Sequence, residues 1–208
     1  MRFYRFNIPL AASVAIALFS GQLQAADENG RFAFKGAGLG TCAQFMEHKA
    51  SGSRDFYIYA GWIEGYLTGL NRLKPNTYDL APWQSTEVLT GMLETFCTKN
   101  PQANFASAVD QLGIHLNNTR LKQGSELIQV TYKSSSVLIY REILIDMQNK
   151  LQSDGFLKDF TSGSFDEKTA LGLMEFQRRN GLAANGLPSA ITLHKLFAAS
   201  ERSSKKTN

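Results

Sequence analysis

The sequence is short of the groups that most catalytic chemistry needs. It contains 3 histidines, His48, His115 and His194, far apart and without HExxH or any similar ligand spacing, so no metal-hydrolase signature is present. No CxxC accompanies its 2 cysteines, which argues against a zinc site. A GxSxG elbow, a phosphate-binding glycine loop and a basic stripe interleaved with aromatics are all missing, so the usual signatures of serine hydrolases, nucleotide binders and nucleic-acid binders are absent. The longest apolar run, Ile8 to Phe19, is about twelve residues against the roughly twenty that span a bilayer, which argues against a permanent membrane anchor. Catalytic groups can assemble from distant positions, yet these absences together favour a binding protein, with no cofactor and no nucleic acid among its expected partners.

What is present begins with an address. Arg2 and Arg5, the apolar run, Gly21 and the small residues Ala25 and Ala26 have the three-part layout of a secretory signal peptide over residues 1–25, cleaved at about Ala25 or Ala26. The expected location is periplasmic or secreted. The first cysteine is Cys42, so a lipid anchor at the cleavage site is not expected. Loss of Arg2 and Arg5 leaves the rest of the chain nearly balanced in charge, and the remaining basic residues are scattered except in the polar end ERSSKKTN. Residues 199–208 read as a disordered tail. An even cysteine count in an exported chain makes a Cys42 to Cys97 disulfide the first reading, and closing so long a loop would stabilise by roughly 4 kcal/mol. The alternative is a free catalytic thiol, which would need His48 or His115 as its base.

Residues 26–116 read as a small helical domain. Asp27 to Gly40 is a glycine-rich lead-in. Thr41 can cap a short helix carrying Cys42, Phe45 and Met46. A longer helix from about Asp55 to Leu70 buries Tyr59, Ile63, Tyr66, Leu67 and Leu70. Within it Gly61, Gly65 and Gly69 share one stripe, each costing about 1 kcal/mol relative to Ala. Either another helix packs tightly there or the stripe is a self-association surface. Pro75 to Gln84, with Leu80 and Trp83, is apolar enough to lie over a core. Ser85 or Thr86 begins the next helix. Asn100-Pro101 stops it and starts another, Asn as cap and Pro at the first helical position, with Phe105, Ala108, Val109 and Leu112 facing inward.

Residues 117–136 are polar and read as a linker, although Leu127 to Tyr132 has β-type residues that add a short strand or pack on either domain. A last domain, 137–198, opens with a helix from near Val137 whose buried side is Leu138, Tyr140, Ile143, Leu144, Met147 and Leu151. It then shows one pattern twice: Gly163 is followed by Phe165, Thr169 and Leu173, and Gly186 by Pro188, Thr192 and Leu196, at identical offsets. Two copies of a turn feeding a helix are implied. Between them a helix ends at Asn180-Gly181. Asp166 and Glu167 stand in a first helical turn, where the dipole favours them.

Met147-Gln148, Leu151, Gly155-Phe156, Gly163, Phe165, Thr169, Phe176-Gln177, Asn180-Gly181-Leu182, Asn185-Gly186 and Thr192 resemble the type 1 peptidoglycan-binding domain appended to many cell-wall enzymes. The chain differs where that family commonly has Asp-Gly, showing Ser162-Gly163 and Asn185-Gly186, and at Asp166 and Ser189 in place of a second turn glycine. Less extensively, Thr41-Cys42, Phe45, Trp62, Gly65-Tyr66, Gly69, Cys97 and Asn100-Pro101 resemble the HdeA/HdeB type of periplasmic helical domain over residues 38–116, a group that includes acid-stress chaperones and in which one disulfide ties two helices. The resemblances imply a mainly all-α protein: a disulfide-tied helical domain followed by a three-helix domain that binds peptidoglycan. Such a wall polymer offers amides, hydroxyls and carboxylates, which side-chain amides and a cation suit. Gln177, Arg178, Asn180 and Asn185, with Phe165 as an apolar wall, are the candidate contacts. The function implied is non-catalytic peptidoglycan binding, with the first domain meeting another periplasmic protein or a second copy through Gly61, Gly65 and Gly69. An acid-stress chaperone or regulatory interaction protein is the alternative, and a cell-wall hydrolase the third reading.

Overall fold

The computed structural model describes residues 27–29 and 31–204. The expected signal peptide and the last four residues of the tail lie outside them. A compact unit begins at Phe34. It is mainly helical: a 3-10 turn (Gly36–Leu39), then α1 (Cys42–Ser51), α2 (Arg54–Leu73), α3 (Thr86–Lys99), α4 (Phe105–Leu116), a hairpin of β1 (Leu127–Tyr132) and β2 (Ser135–Tyr140), and α5 (Arg141–Ser153), α6 (Glu167–Arg179) and α7 (Ala190–Ser204).

Local chemistry accounts for the starts of these helices. Thr41 and Gln44 form a reciprocal capping box at α1, satisfying two orphan N–H groups at once, and Ser85 caps α3 by accepting from Val88 N–H. Cys42 and Cys97 are bonded to each other across a sequence separation of 55, tying the start of α1 to the end of α3. The bond removes the free-thiol alternative. Around it Phe45 and Phe105 lie 5.1 Å apart and Tyr59 meets Phe105 edge-on at 4.7 Å, the geometry aromatic quadrupoles favour. These residues with Ile63, Leu93 and Leu116 make the first core.

Two expectations for this half need correction. The fourth helix does not start at Pro101. Residues 101–103 instead accept backbone bonds from the first turn of α1, Cys42 N–H to Ala103 and Ala43 N–H to Pro101, both at 2.9 Å. The helix therefore begins at Phe105, capped by Asn104. Nor is the Gly61, Gly65, Gly69 stripe packed against a helix: a Cβ at any of the three would meet nothing within 4 Å. The period of α2 correctly gives its inward face, Tyr59, Ile63 and Leu67, and the stripe lies on the other side.

The second core is built from the hairpin and α5 to α7. Here the first helix starts at Arg141, not near Val137. The β-branched residues of 135–140 pair antiparallel with β1, Val130 opposite Val137 and Ile128 opposite Ile139, and the alternation buries Val130 and Ile139 while leaving Leu138 outside. The polar stretch read as a linker thus holds a strand, and Leu121 within it is buried in the second core. Leu121 also exchanges backbone bonds with the 78–79 segment, including Leu121 N–H to Asp79 O at 2.8 Å. Leu80 from that segment fills the first core and Trp83 packs on the second, so the connections of each half reach the other. At the end of the chain α7 continues to Ser204, past the point where the tail was expected to start, because residues 198–204 contain no proline or glycine to stop it. No helix among the described residues is long and apolar enough to cross a membrane.

Candidate functional site

The repeated turn is held by a pair of buried glutamines. Gln148 on α5 is completely buried. Its Oε1 accepts from Gly163 N–H at 2.8 Å, and its Nε2 donates to Ser164 O (2.8 Å), Thr169 Oγ1 (3.1 Å) and Thr161 O (3.3 Å). Gln177 on α6 is likewise buried and repeats the arrangement: Oε1 accepts from Gly186 N–H at 2.9 Å, and Nε2 donates to Leu187 O (3.0 Å), Thr192 Oγ1 (3.1 Å) and Asn185 Oδ1 (3.1 Å). Gly163 and Gly186 have φ of 72° and 73°, a region closed to most side chains. That conformation turns the N–H groups of both glycines toward the glutamine oxygens.

The helix after each turn is capped at the same offset. Asp166 accepts from Thr169 N–H at 2.8 Å and from its hydroxyl at 2.7 Å. Those two bonds, the hydroxyl first, hold the Asp166 carboxyl below its usual range. Ser189 does the same for Thr192, at 3.4 Å to the N–H and 2.9 Å between hydroxyls. Two of the positions at which the chain differs from the family pattern, Asp166 and Ser189, therefore serve as helix caps. The hairpin adds a lid to the second turn, since Tyr132 would lie 3.0 Å from a Cβ at Gly186.

The expected contact residues separate into different roles. Gln177 is saturated from within and is not exposed. Phe165 is half-buried against the second core, before the N-terminus of α6, whereas Arg178, Asn180 and Asn185 sit at its other end, about 20 Å away by helical rise. Arg178 and Arg179 both pair with Glu175, the latter at 2.7 Å; their charges, the Arg179 hydrogen bond first, lower the Glu175 carboxyl. Asn180 Nδ2 donates to Phe176 O at 2.9 Å, a helix-end bond. Asn185 Oδ1 is used by Gln177 and by Leu187 N–H at 3.0 Å. The outward groups left for a ligand at this end are the Arg178 guanidinium and the amides of Asn180 and Asn185. Gln148 was not recognised as the partner of Gln177 from sequence; the repeated apolar-Gln pairs Met147-Gln148 and Phe176-Gln177 were the available signal. His194 is half-buried with its ring 6.2 Å from Trp83.

Both glutamines, both glycines and both capped threonines fall within one stretch that resembles known proteins. Residues 141–196 match the family model described as "Putative peptidoglycan binding domain". The matched residues begin at α5 and leave the hairpin outside them. The chain is also 34% identical over 144 residues to the N-acetylmuramoyl-L-alanine amidase CwlM of Mycobacterium tuberculosis (strain ATCC 25618 / H37Rv), an alignment covering 67% of this chain and 35% of that protein. The chain thus spans about a third of that relative's length. No solved structure matches it. Among the described residues no three His, Cys, Asp or Glu side chains converge as a metal-ion site.

Proposed function

We propose that this is an exported, non-catalytic protein that binds peptidoglycan through residues 137–198 and uses residues 26–116 to meet a partner. The observation carrying the first half is the family match over residues 141–196, joined to a fold in which both copies of the turn and helix are complete. The polymer's carboxylates suit Arg178, and its amides suit Asn180 and Asn185. Gln177 acts by holding the turn that presents Asn185. For the first half, the outward stripe of Gly61, Gly65 and Gly69 supports contact with another helix, from a second copy or a periplasmic protein.

The similarity to an amidase favours a second reading, hydrolysis of the wall's amide bonds. One incubation with purified sacculi separates the two. Binding without catalysis retains the protein in the pellet and leaves turbidity and soluble amine unchanged. Falling turbidity with release of peptide amines would establish the enzyme reading, and a protein left wholly in the supernatant at low and moderate salt would remove both.

A further inference from the structure

The hairpin carries an open edge. Arg141 N–H donates to Glu126 C=O at 2.8 Å, and with Leu127 opposite Tyr140 this sets the phase of the ladder: Ile128 with Ile139 and Val130 with Val137 exchange bonds across the strands. The alternate residues turn their backbone groups away from the neighbouring strand. On β2 these are the N–H and C=O of Ser136 and Leu138 and the N–H of Tyr140, and among the described residues nothing bonds to them. Gln129 and Thr131 are placed in the same way on β1.

The two edges differ in the side chains beside those groups. The centre of β1 is polar Gln129, whereas the centre of β2 is Leu138, 65% exposed on the face that looks away from the core. Edge strands of soluble proteins are commonly guarded by charges, proline or a bulge, and Ser135–Tyr140, SSVLIY in continuous register, has none of the three. A row of unpaired backbone donors and acceptors is complementary to another extended strand. Antiparallel pairing about Leu138 makes β2 its own complement: the Leu138 N–H and C=O meet those of Leu138 in a second copy, and Tyr140 N–H meets the second copy's Ser136 carbonyl. Both leucines then lie side by side on one face and cover each other. The ends also match in charge. Lys133 precedes β2 and Glu142 follows it; both are exposed and form no ion pair among the described residues, and the two-fold brings Lys133 of each copy toward Glu142 of the other.

We propose that β2 is a self-association edge, at which two copies of this chain join their hairpins into a four-stranded antiparallel sheet in the order β1-β2-β2-β1. Strands of six residues, about 20 Å long, bury less than the roughly 1,200 Å² of a stable complex, so the pairing is weak and depends on concentration. Because α5 follows β2 directly, each pair carries two copies of the stretch matched at 141–196 and meets a repeating polymer with the avidity of two sites. The pairing itself does not depend on the wall-binding reading.

Sedimentation velocity of residues 27–208 from about 1 µM to about 1 mM, the range expected of so small a contact, tests the pairing with no wall polymer present. The unaltered chain should shift reversibly toward a dimer as concentration rises. Leu138→Lys sets like charges directly opposite each other and should weaken association at least about tenfold, with an unchanged thermal melt because the side chain is exposed. Leu138→Glu should do the same. An equimolar mixture of these two variants should regain association, since only the mixed pair sets opposite charges across the two-fold. Gln129→Lys, at the centre of β1, should associate as the unaltered chain does. A chain that stays monomeric throughout, association undiminished in Leu138→Lys, or association lost in Gln129→Lys overturns the edge assignment. A mixture that remains monomeric overturns pairing about Leu138.

Discussion

Replacing Gln177 by Leu isolates the role of the buried amide, because the two side chains are similar in volume and the change creates little cavity. Gly186 N–H and Leu187 C=O, bonded at 2.9 and 3.0 Å to Gln177, would be left buried without partners; Thr192 keeps Ser189 and Asn185 has access to water. Each stranded group costs about 1–3 kcal/mol, so the loss is about 4 kcal/mol, a large part of the roughly 5–15 kcal/mol that holds a domain folded. With an urea dependence of about 2 kcal/mol per molar, the midpoint followed by far-UV circular dichroism should fall by about 2 M. Gln148→Leu strands the buried Gly163 N–H, while the carbonyl of exposed Ser164 can turn to water, and should cost about half as much, about 2 kcal/mol. In Gln177→Glu the acid faces carbonyl acceptors in a buried site, so its folded pKa lies above the unfolded value. The protonated form is the one the fold prefers, and this variant should be least destabilised below the ordinary glutamate range and lose stability as pH rises. A midpoint shift under about 0.5 M for Gln177→Leu, or lost wall binding at unchanged stability, would refute the structural role and put the amide within reach of ligand.

Other perturbations read other parts of the fold. Reducing the Cys42–Cys97 bond, or replacing both residues by Ser, should cost about 4 kcal/mol on the chain-entropy model; a melting temperature that ignores reductant would contradict it. Gly61→Ala, Gly65→Ala and Gly69→Ala, whose new methyls meet open space, should each stabilise by about 1 kcal/mol in thermal melts, and destabilisation would mean the stripe is covered after all. Asp166→Ala should cost about 1 kcal/mol near neutral pH. Because the Asp166 pKa is lowered on folding, its contribution is present above the ordinary aspartate range and fades as pH falls through the depressed value, so the variant and the original chain should converge in acid urea titrations.

The twin turn was legible because it demands residues few others replace. Gly163 and Gly186 occupy positive φ, and a threonine follows each by six positions to be capped. The use of the glutamines was less legible, since a buried amide and a surface amide are the same letter and only the fold brings Gln148 to Gly163. The fourth helix was displaced because Asn100 and Asn104 are both cap residues, and the choice is made by backbone pairing with α1, a contact from far away in sequence. The hairpin was obscured by its polar tip: Lys133 turns at φ 55° without glycine, and the serines after it resemble a linker. For α2, hydrophobic period identified the buried face but said nothing about what covers the opposite one.

The measurement that bears most directly on the account is co-sedimentation of residues 27–208 with purified sacculi across a range of protein concentration, at low and moderate salt. The account predicts saturable retention that survives moderate salt, weakens when Arg178 is replaced by Ala, and proceeds without loss of turbidity. Protein that remains in the supernatant at every concentration, or that is retained only while the sacculi dissolve, would contradict it.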